Sequence, residues 1–152
     1  MKRLFIILSI FLIVVDQGIK IIFLEILNEN IVVIPNLVEL VMVHNRGAAF
    51  GILQNNRWIF ISFTILAIFC FIYIIFIKVV DNKLFITSSV FVVGGGIGNL
   101  IDRIFRGFVI DYIKLSFFPP VFNFADICIS VGGALLVVYV YLDHENKVSV
   151  NG

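Results

Sequence analysis

Four stretches of the chain are almost wholly apolar: residues 4–27, 58–77, 84–101 and 121–142. Each has about the 20-residue length that a helix needs to cross the hydrocarbon core of a bilayer. The second, WIFISFTILAIFCFIYIIFI, holds no charge, whereas the first carries Asp16, Lys20 and Glu25. Backbone groups in lipid must bond internally, so the pattern predicts four spanning helices. The segments between them read differently. NIVVIPNLVELVMVHNRGAAFGIL consists of short Val- and Ile-rich runs broken at Pro35-Asn36 and at Asn45-Arg46-Gly47. Such runs between turn residues predict short strands. GFVIDYIKL, residues 107–115, is a second strand-like piece, and Pro119-Pro120 predict a turn after it. The remaining connection, KVVDNK, is tight. In a four-span chain both strand-bearing loops fall on one side. The expected fold is therefore an α-helical integral membrane protein, with four transmembrane helices and a small β-sheet on the outer membrane surface. It forms one domain over 1–152.

Composition strengthens that picture. Of 152 residues 61% are hydrophobic and only 14% charged, against about 45–50% apolar in a soluble domain. The net charge of +1 gives no footprint for nucleic acid. Cys70 and Cys128 both lie inside expected spans, where a thiol behaves as a small hydrophobe. They offer neither a disulfide framework nor zinc spacing, and His44 and His144 form no HExxH, so no metal site is expected. MKRLFIILSIFLIVV has the basic start and apolar run of a signal peptide, but Asp16 follows in place of a small-x-small cleavage site. It is read as a retained first span. The positive-inside count is level: Lys2, Arg3, Lys78, Lys83 and Lys147 on one side, Arg46, Arg57, Arg103, Arg106 and Lys114 on the other. The first helix usually dominates, so Lys2-Arg3 favour cytoplasmic termini.

The polar residues inside this apolar chain need reasons. An ionisable group within a span is costly. Asp126 sits near the start of the fourth apolar run, and Asp111 lies just before that run on the same side. A strand folding back beside the helix start would bring the two together. A pair of close carboxylates shares a proton, which suits general acid–base chemistry. Each Asp equally suits a cap, and the residues alone leave both arrangements open. Asp16 and Lys20 stand four apart, acid first, and suit an ion pair within the bundle. Asn99 and Arg103 are also four apart and share a face. Arg103 suits pairing with Asp102 or with one of the carboxylates. Asn45 and Gly47 suit a turn, and Asn123 suits the cap of the fourth helix. Gly94, Gly95, Gly96 and Gly98 suit close helix packing.

DQGIK, HNRGAAFGIL, GNLIDR, VIDY and FNFAD occur in this order. Together they closely resemble the motifs of the bacterial lipoprotein signal peptidases, signal peptidase II. The resemblance runs from Asp16 to Asp126. It implies an aspartic endopeptidase of the bacterial inner membrane, with four spans and an extracytoplasmic β-sheet cradle. The site would lie near the extracytoplasmic face and both termini in the cytoplasm. The implied substrates are prolipoproteins carrying a diacylglyceryl cysteine, cut immediately before that cysteine. By motif the catalytic pair is Asp111 and Asp126. Asp16, Lys20, Asn45, Gly47, Asn99, Arg103, Asn123 and Ala125 are expected to shape the site or bind substrate. No cofactor or metal is implied, and a monomer surrounded by membrane lipid is expected. Two features depart from the family's commonest form: Arg46 in the NRG turn, and Ile127-Cys128 where small hydroxyl residues are usual.

Three other readings fit less of the chain. A proton-coupled transporter also uses intramembrane Asp and Lys, but often shows repeats or broken helices at the midplane. A structural subunit leaves Asp111 and Asp126 unexplained. A serine–lysine protease has only Lys114 and Ser116 to draw on.

Overall fold

A computed structural model of the protein describes residues 1–26, 29–47, 56–77 and 80–151, the last four of these by backbone alone. Residues 48–53 of the HNRGAAFGIL motif, the start of KVVDNK and the expected end of the first span at 27 lie outside the described residues. The elements are α1 (Lys2–Ile26), β1 (Ile31–Ile34), β2 (Val38–Asn45), α2 (Arg57–Phe76), α3 (Lys83–Ile101), β3 (Val109–Leu115), β4 (Phe118–Phe122) and α4 (Phe124–Asn151). All four helices are long and apolar enough to cross a membrane.

α3 is the central helix and packs against the other three. Its composition explains the position. Gly and Ser let neighbouring backbones approach, which is how helices associate where lipid removes the hydrophobic drive. A Cβ at Gly95 would lie 2.5 Å from the carbonyl oxygen of Ala125 in α4. Ser88 donates a hydrogen bond of 2.8 Å to the carbonyl of Gly132, also in α4. α2 has no glycine. It buries only Ile61 and Ile75 among its described side chains and turns Trp58, Phe63, Phe69 and others outward. The core is graded along the bundle. Phe5, Ile75, Phe85, Ile86, Val90 and Val93 form an apolar cluster at one end. The buried stripe of α1 runs Phe5, Ser9, Asp16, Lys20, from apolar to charged.

At the charged end lies a four-stranded antiparallel sheet in the order β1-β2-β3-β4. It unites the two loops expected to carry strands. Asn36, with φ 60°, turns β1 into β2, and Leu37 donates to the Ile34 carbonyl at 3.0 Å. Val43 faces Asp111 across β2 and β3.

Three boundaries differ from the sequence expectation. Pro119 and Pro120 do not form the turn: they lie inside β4, and the turn is at Ser116-Phe117. β4 is an edge strand, and both prolines fall in the irregular stretch between its paired residues Phe118 and Phe122, where no regular ladder bond is lost. Val121 and Phe122 therefore belong to the sheet, and the fourth helix runs over Phe124–Asn151 instead of 121–142. The third helix does not stop at 101. A π-helical turn, Asp102–Arg106, extends it and ends at Gly107, whose φ of 83° favours glycine.

The α3–α4 contact yields a paired test. A Cβ on Gly132 would stand 2.7 Å from Val92 Cγ2 and 2.9 Å from the Ser88 carbonyl, whereas one on Gly133 meets nothing within 4 Å. Gly132→Ala should lower stability by about 1–3 kcal/mol, the usual cost of overpacking. Gly133→Ala should leave it nearly unchanged. Thermal unfolding of both variants in detergent checks this, and equal melting temperatures would show that the two helices do not pack so closely.

Candidate active site

The first turn of α4 shows how the chain fixes one carboxylate. A helix begins with amides that lack intrahelical partners. Here each is met by a different part of the protein. Phe124 N donates to the Tyr112 hydroxyl of β3 at 3.1 Å, and Ala125 N to Asp16 Oδ1 of α1 at 3.1 Å. Asp126 N donates to Asn123 Oδ1 at 2.9 Å, and Asn123 N donates back to Asp126 Oδ2 at 3.1 Å. That reciprocal pair is a capping box built from Asn and Asp. Asn123 is thus the cap its position suggests. Asp126 also caps, with its other oxygen, Oδ1, accepting from Asn99 Nδ2 at 2.7 Å.

Asp111 is fixed from the sheet. It lies in the middle of β3, buried, with Oδ2 accepting from Asn45 Nδ2 at 2.8 Å and Oδ1 from Asn123 Nδ2 at 2.6 Å. Asn45 is itself held, since its Oδ1 accepts from Gly47 N at 2.9 Å in the turn that ends β2. Asn123 therefore links the two carboxylates, capping one and donating to the other. Burial and, next, the negative charge of Asp126 push the Asp111 carboxyl up to about 6. The neighbouring Tyr112 phenol is pushed up to about 12, chiefly by burial. It stacks on Phe23 with ring centroids 4.3 Å apart.

Behind this pair lies a buried ionic network. Lys20 is fully enclosed and stands 2.9 Å from Asp16 Oδ2, 2.9 Å from Asp102 Oδ2 and 3.0 Å from Asn99 Oδ1. The expected Asp16–Lys20 pair is present, and Asp102 joins it from α3's π-helical turn. Asp102 also accepts from Ile110 N at 3.2 Å, from Gln17 Nε2 at 3.2 Å and from the Arg106 guanidinium. Gly98 makes room for Asp16, whose Oδ2 lies 2.5 Å from where a Cβ would stand. Arg103 departs from the expectation that it pairs with Asp102 or a carboxylate of the pair. Asp102 is already engaged by Lys20 and Arg106. Arg103 lies over the Phe60 ring at 5.1 Å and donates to the carbonyls of Asn99 at 3.4 Å and Gly47 at 3.5 Å.

All ten sequence-derived site residues thus meet at one end of the bundle. Asp111, Asp126, Asn45, Gly47, Asn99 and Arg103 line a cavity of about 690 Å³, whose other walls, from Phe117 to Val131, are mostly apolar. Asp16, Lys20, Asn123 and Ala125 stand behind it. Ile127 lines the same cavity, and Cys128 is buried against Gly95. Sequence reasoning did not assign Asp102, Gln17, Arg106 or Tyr112 to the site. Asp102 and Arg106 are four apart with the acid first, the same signal that marked Asp16 and Lys20. Gln17 and Tyr112 lie within DQGIK and VIDY beside Asp16 and Asp111, and membership of those motifs was their one signal.

Residues 8–142 match the sequence model of the family described as Signal peptidase (SPase) II. The chain is 39% identical over 137 residues to a lipoprotein signal peptidase of Halothermothrix orenii, covering 89% of this chain and 93% of that protein. It is 46% identical over 104 residues to a lipoprotein signal peptidase of Caldanaerobacter subterraneus subsp. tengcongensis, covering 68% and 71%. Among solved structures it is similar to a bacterial membrane enzyme determined in meso at 2.3 Å. That likeness has a TM-score of 0.87 and 28% identity, over 95% of this chain and 92% of the other.

The buried network sets a stability test. Removing one partner of a buried ion pair costs about 3–5 kcal/mol because the other charge is left alone. Lys20→Met should sharply lower folded yield and melting temperature, and adding Asp102→Asn should recover part of the loss. A Lys20→Met protein as stable as the parent would show that the carboxylates do not depend on this ammonium.

Proposed function

The chain belongs to the signal peptidase II family, and we propose that it is an aspartic endopeptidase that removes the signal peptide from diacylglyceryl-modified prolipoproteins. The cut falls immediately before the lipidated cysteine. The carrying observation is the pair of carboxylates from β3 and α4, joined through Asn123 and opening into a largely apolar cavity at the end of a four-helix membrane bundle.

The chemistry follows from the environment. Asp111 is buried beside a second carboxylate, so the pair holds one proton more readily than two isolated acids would. The ionised member draws a proton from water as it attacks the scissile carbonyl. The protonated member then gives its proton to the departing amine. Asn45 and Asn123 orient Asp111, and Asn99 with the cap orients Asp126, so neither carboxylate must reorganise during reaction. Lys20 and Arg106 together offset the charges of Asp16 and Asp102 behind the pair. Arg103, on the cavity wall, is suited to a substrate carbonyl. The apolar walls suit a signal helix and lipid chains arriving sideways from the bilayer, where the scissile bond of such a substrate lies. The protein acts in the bacterial inner membrane as a monomer, with the site near the extracytoplasmic face and both termini cytoplasmic. A carboxylate pair activates water unaided, so no metal or cofactor takes part.

The direct test is cleavage of a lipidated prolipoprotein by the purified protein, beside the same substrate without lipid. Only the lipidated form should be cut, and activity should survive EDTA. Asp111→Asn and Asp126→Asn should each abolish most turnover, and the double variant should be little worse, because groups that act as a unit are non-additive. Near-normal single-turnover cleavage by either folded variant removes that residue from the mechanism. The pH profile should be bell-shaped. As pH rises through about 6, Asp111 loses its proton, the pair can no longer act as an acid, and turnover should fall. A rate that stays flat from pH 5 to about 8 contradicts this assignment.

Orientation is tested separately, in a background lacking Cys70 and Cys128. An impermeant maleimide added to intact cells should label Ser116→Cys, at the β3–β4 turn, and spare Asp81→Cys. The reverse pattern inverts the topology.

A further inference from the structure

Arg46, Arg57 and Arg106 converge on a second cavity, of about 320 Å³, closed by Gly107 and Phe108. It shares no lining residue with the carboxylate cavity. The three arginines come from three places: the turn after β2, the first residue of α2 and the last residue of the π-helical turn. Gly107 makes room for one of them, since a Cβ there would stand 3.2 Å from Arg57 Nη1. The charges are poorly compensated. Arg106 shares Asp102 with Lys20. Among the described residues neither Arg46 nor Arg57 has an ion pair, and the eight residues 48–55 between them, AAFGILQN, contain no carboxylate.

Two aromatic residues adjoining the lining arginines in sequence, Trp58 beside Arg57 and Phe105 beside Arg106, are exposed. Trp58 is 67% exposed and Phe105 80% exposed, and the Arg57 guanidinium lies 4.9 Å from the centre of the Trp58 ring. Arginine beside exposed aromatics at a span's end is the composition of a membrane–water interface. Guanidinium groups match phosphate oxygens through paired hydrogen bonds. The volume suits a headgroup and not an acyl chain. We propose that this arginine-lined cavity binds the phosphate of an anionic phospholipid at the membrane surface, beside the α2–α3 edge. A freely diffusing phosphate would have no use for the exposed Trp58 and Phe105. A lipid would lay its chains against them.

Trp58, the protein's one tryptophan, reports on the site directly. The full chain is reconstituted in phosphatidylcholine vesicles containing equal mole fractions of either brominated phosphatidylglycerol or brominated phosphatidylcholine. Each fluorescence is taken relative to the same protein in unbrominated lipid. Brominated phosphatidylglycerol should quench Trp58 more strongly. The preference should fall about fivefold for each arginine removed in Arg46→Gln, Arg57→Gln and the double variant. Circular dichroism verifies folding, and Arg46→Gln alone, at an exposed position, decides the matter if the double variant fails. Equal quenching by the two lipids, or a preference unchanged in Arg46→Gln, overturns the proposal. So does loss of the preference on adding inorganic phosphate or an acidic peptide at constant ionic strength, since either would mark a site for a soluble anion. The readout is independent of peptidase activity.

Discussion

The fully buried ammonium of Lys20 is the constraint from which the rest of the charged end follows. A carboxylate or ammonium removed from water pays several kcal/mol even after relaxation, and repays it only with close partners and satisfied hydrogen bonds. Three buried carboxylates and a half-buried one stand at this end of the bundle, on α1, α3's extension, β3 and α4. Lys20 faces two of them at 2.9 Å and reaches Asn99, which holds a third. Gly98 must be small so that Asp16 can lie against α3. The π-helical turn brings Asp102 beside Lys20 and beside the amide that precedes Asp111. One cation thereby ties together α1, α3 and the start of β3.

The same network solves a backbone problem. The opening amides of α4 have no partners within their own helix. Asp16 and Tyr112 supply two of them from other elements, and the Asn123 side chain supplies a third. The helix start that carries Asp126 is thus bolted to α1 and to β3, and β3 also carries Asp111. Placing the two carboxylates on adjoining rigid elements, with side-chain amides as intermediaries, holds them in register without a long flexible loop.

The opposite end of the bundle is built on different physics. It holds Phe and aliphatic side chains packed around α3, with no ionic group in the cluster. α2 is turned mainly toward lipid, and its exposed aromatics and aliphatics are the surface a bilayer covers. An apolar end packed around α3 thus stands opposite a polar end whose cavity is lined by both carboxylates. The sheet caps that polar end, and its edge strand β4 can contain two prolines because its pairing with β3 is interrupted between Phe118 and Phe122.

Much of this was legible in the chain itself. Spans declare themselves by length and apolarity, because lipid permits few alternatives. The Pro35-Asn36 and Asn45-Gly47 breaks marked the ends of β2, and five ordered motifs pointed to the family. The Asp16–Lys20 and Asp102–Arg106 pairs are local, four residues apart on a helix, and so readable by spacing. The fold alone decided what depends on distant chain segments meeting. Nothing in the order of residues says that Lys20 reaches Asp102, that Ala125 N rests on Asp16, or that Asn123 serves both carboxylates. The Pro119-Pro120 pair misled because proline marks a turn and an edge strand by the same missing N–H, and only the sheet's neighbours distinguish the two. Arg103 likewise had Asp102 beside it in sequence and the Asp111–Asp126 pair as alternatives, but the buried Lys20 and Arg106 had already taken Asp102. Local pattern fixes which elements form. Competition among partners in the packed interior fixes which groups they bring together.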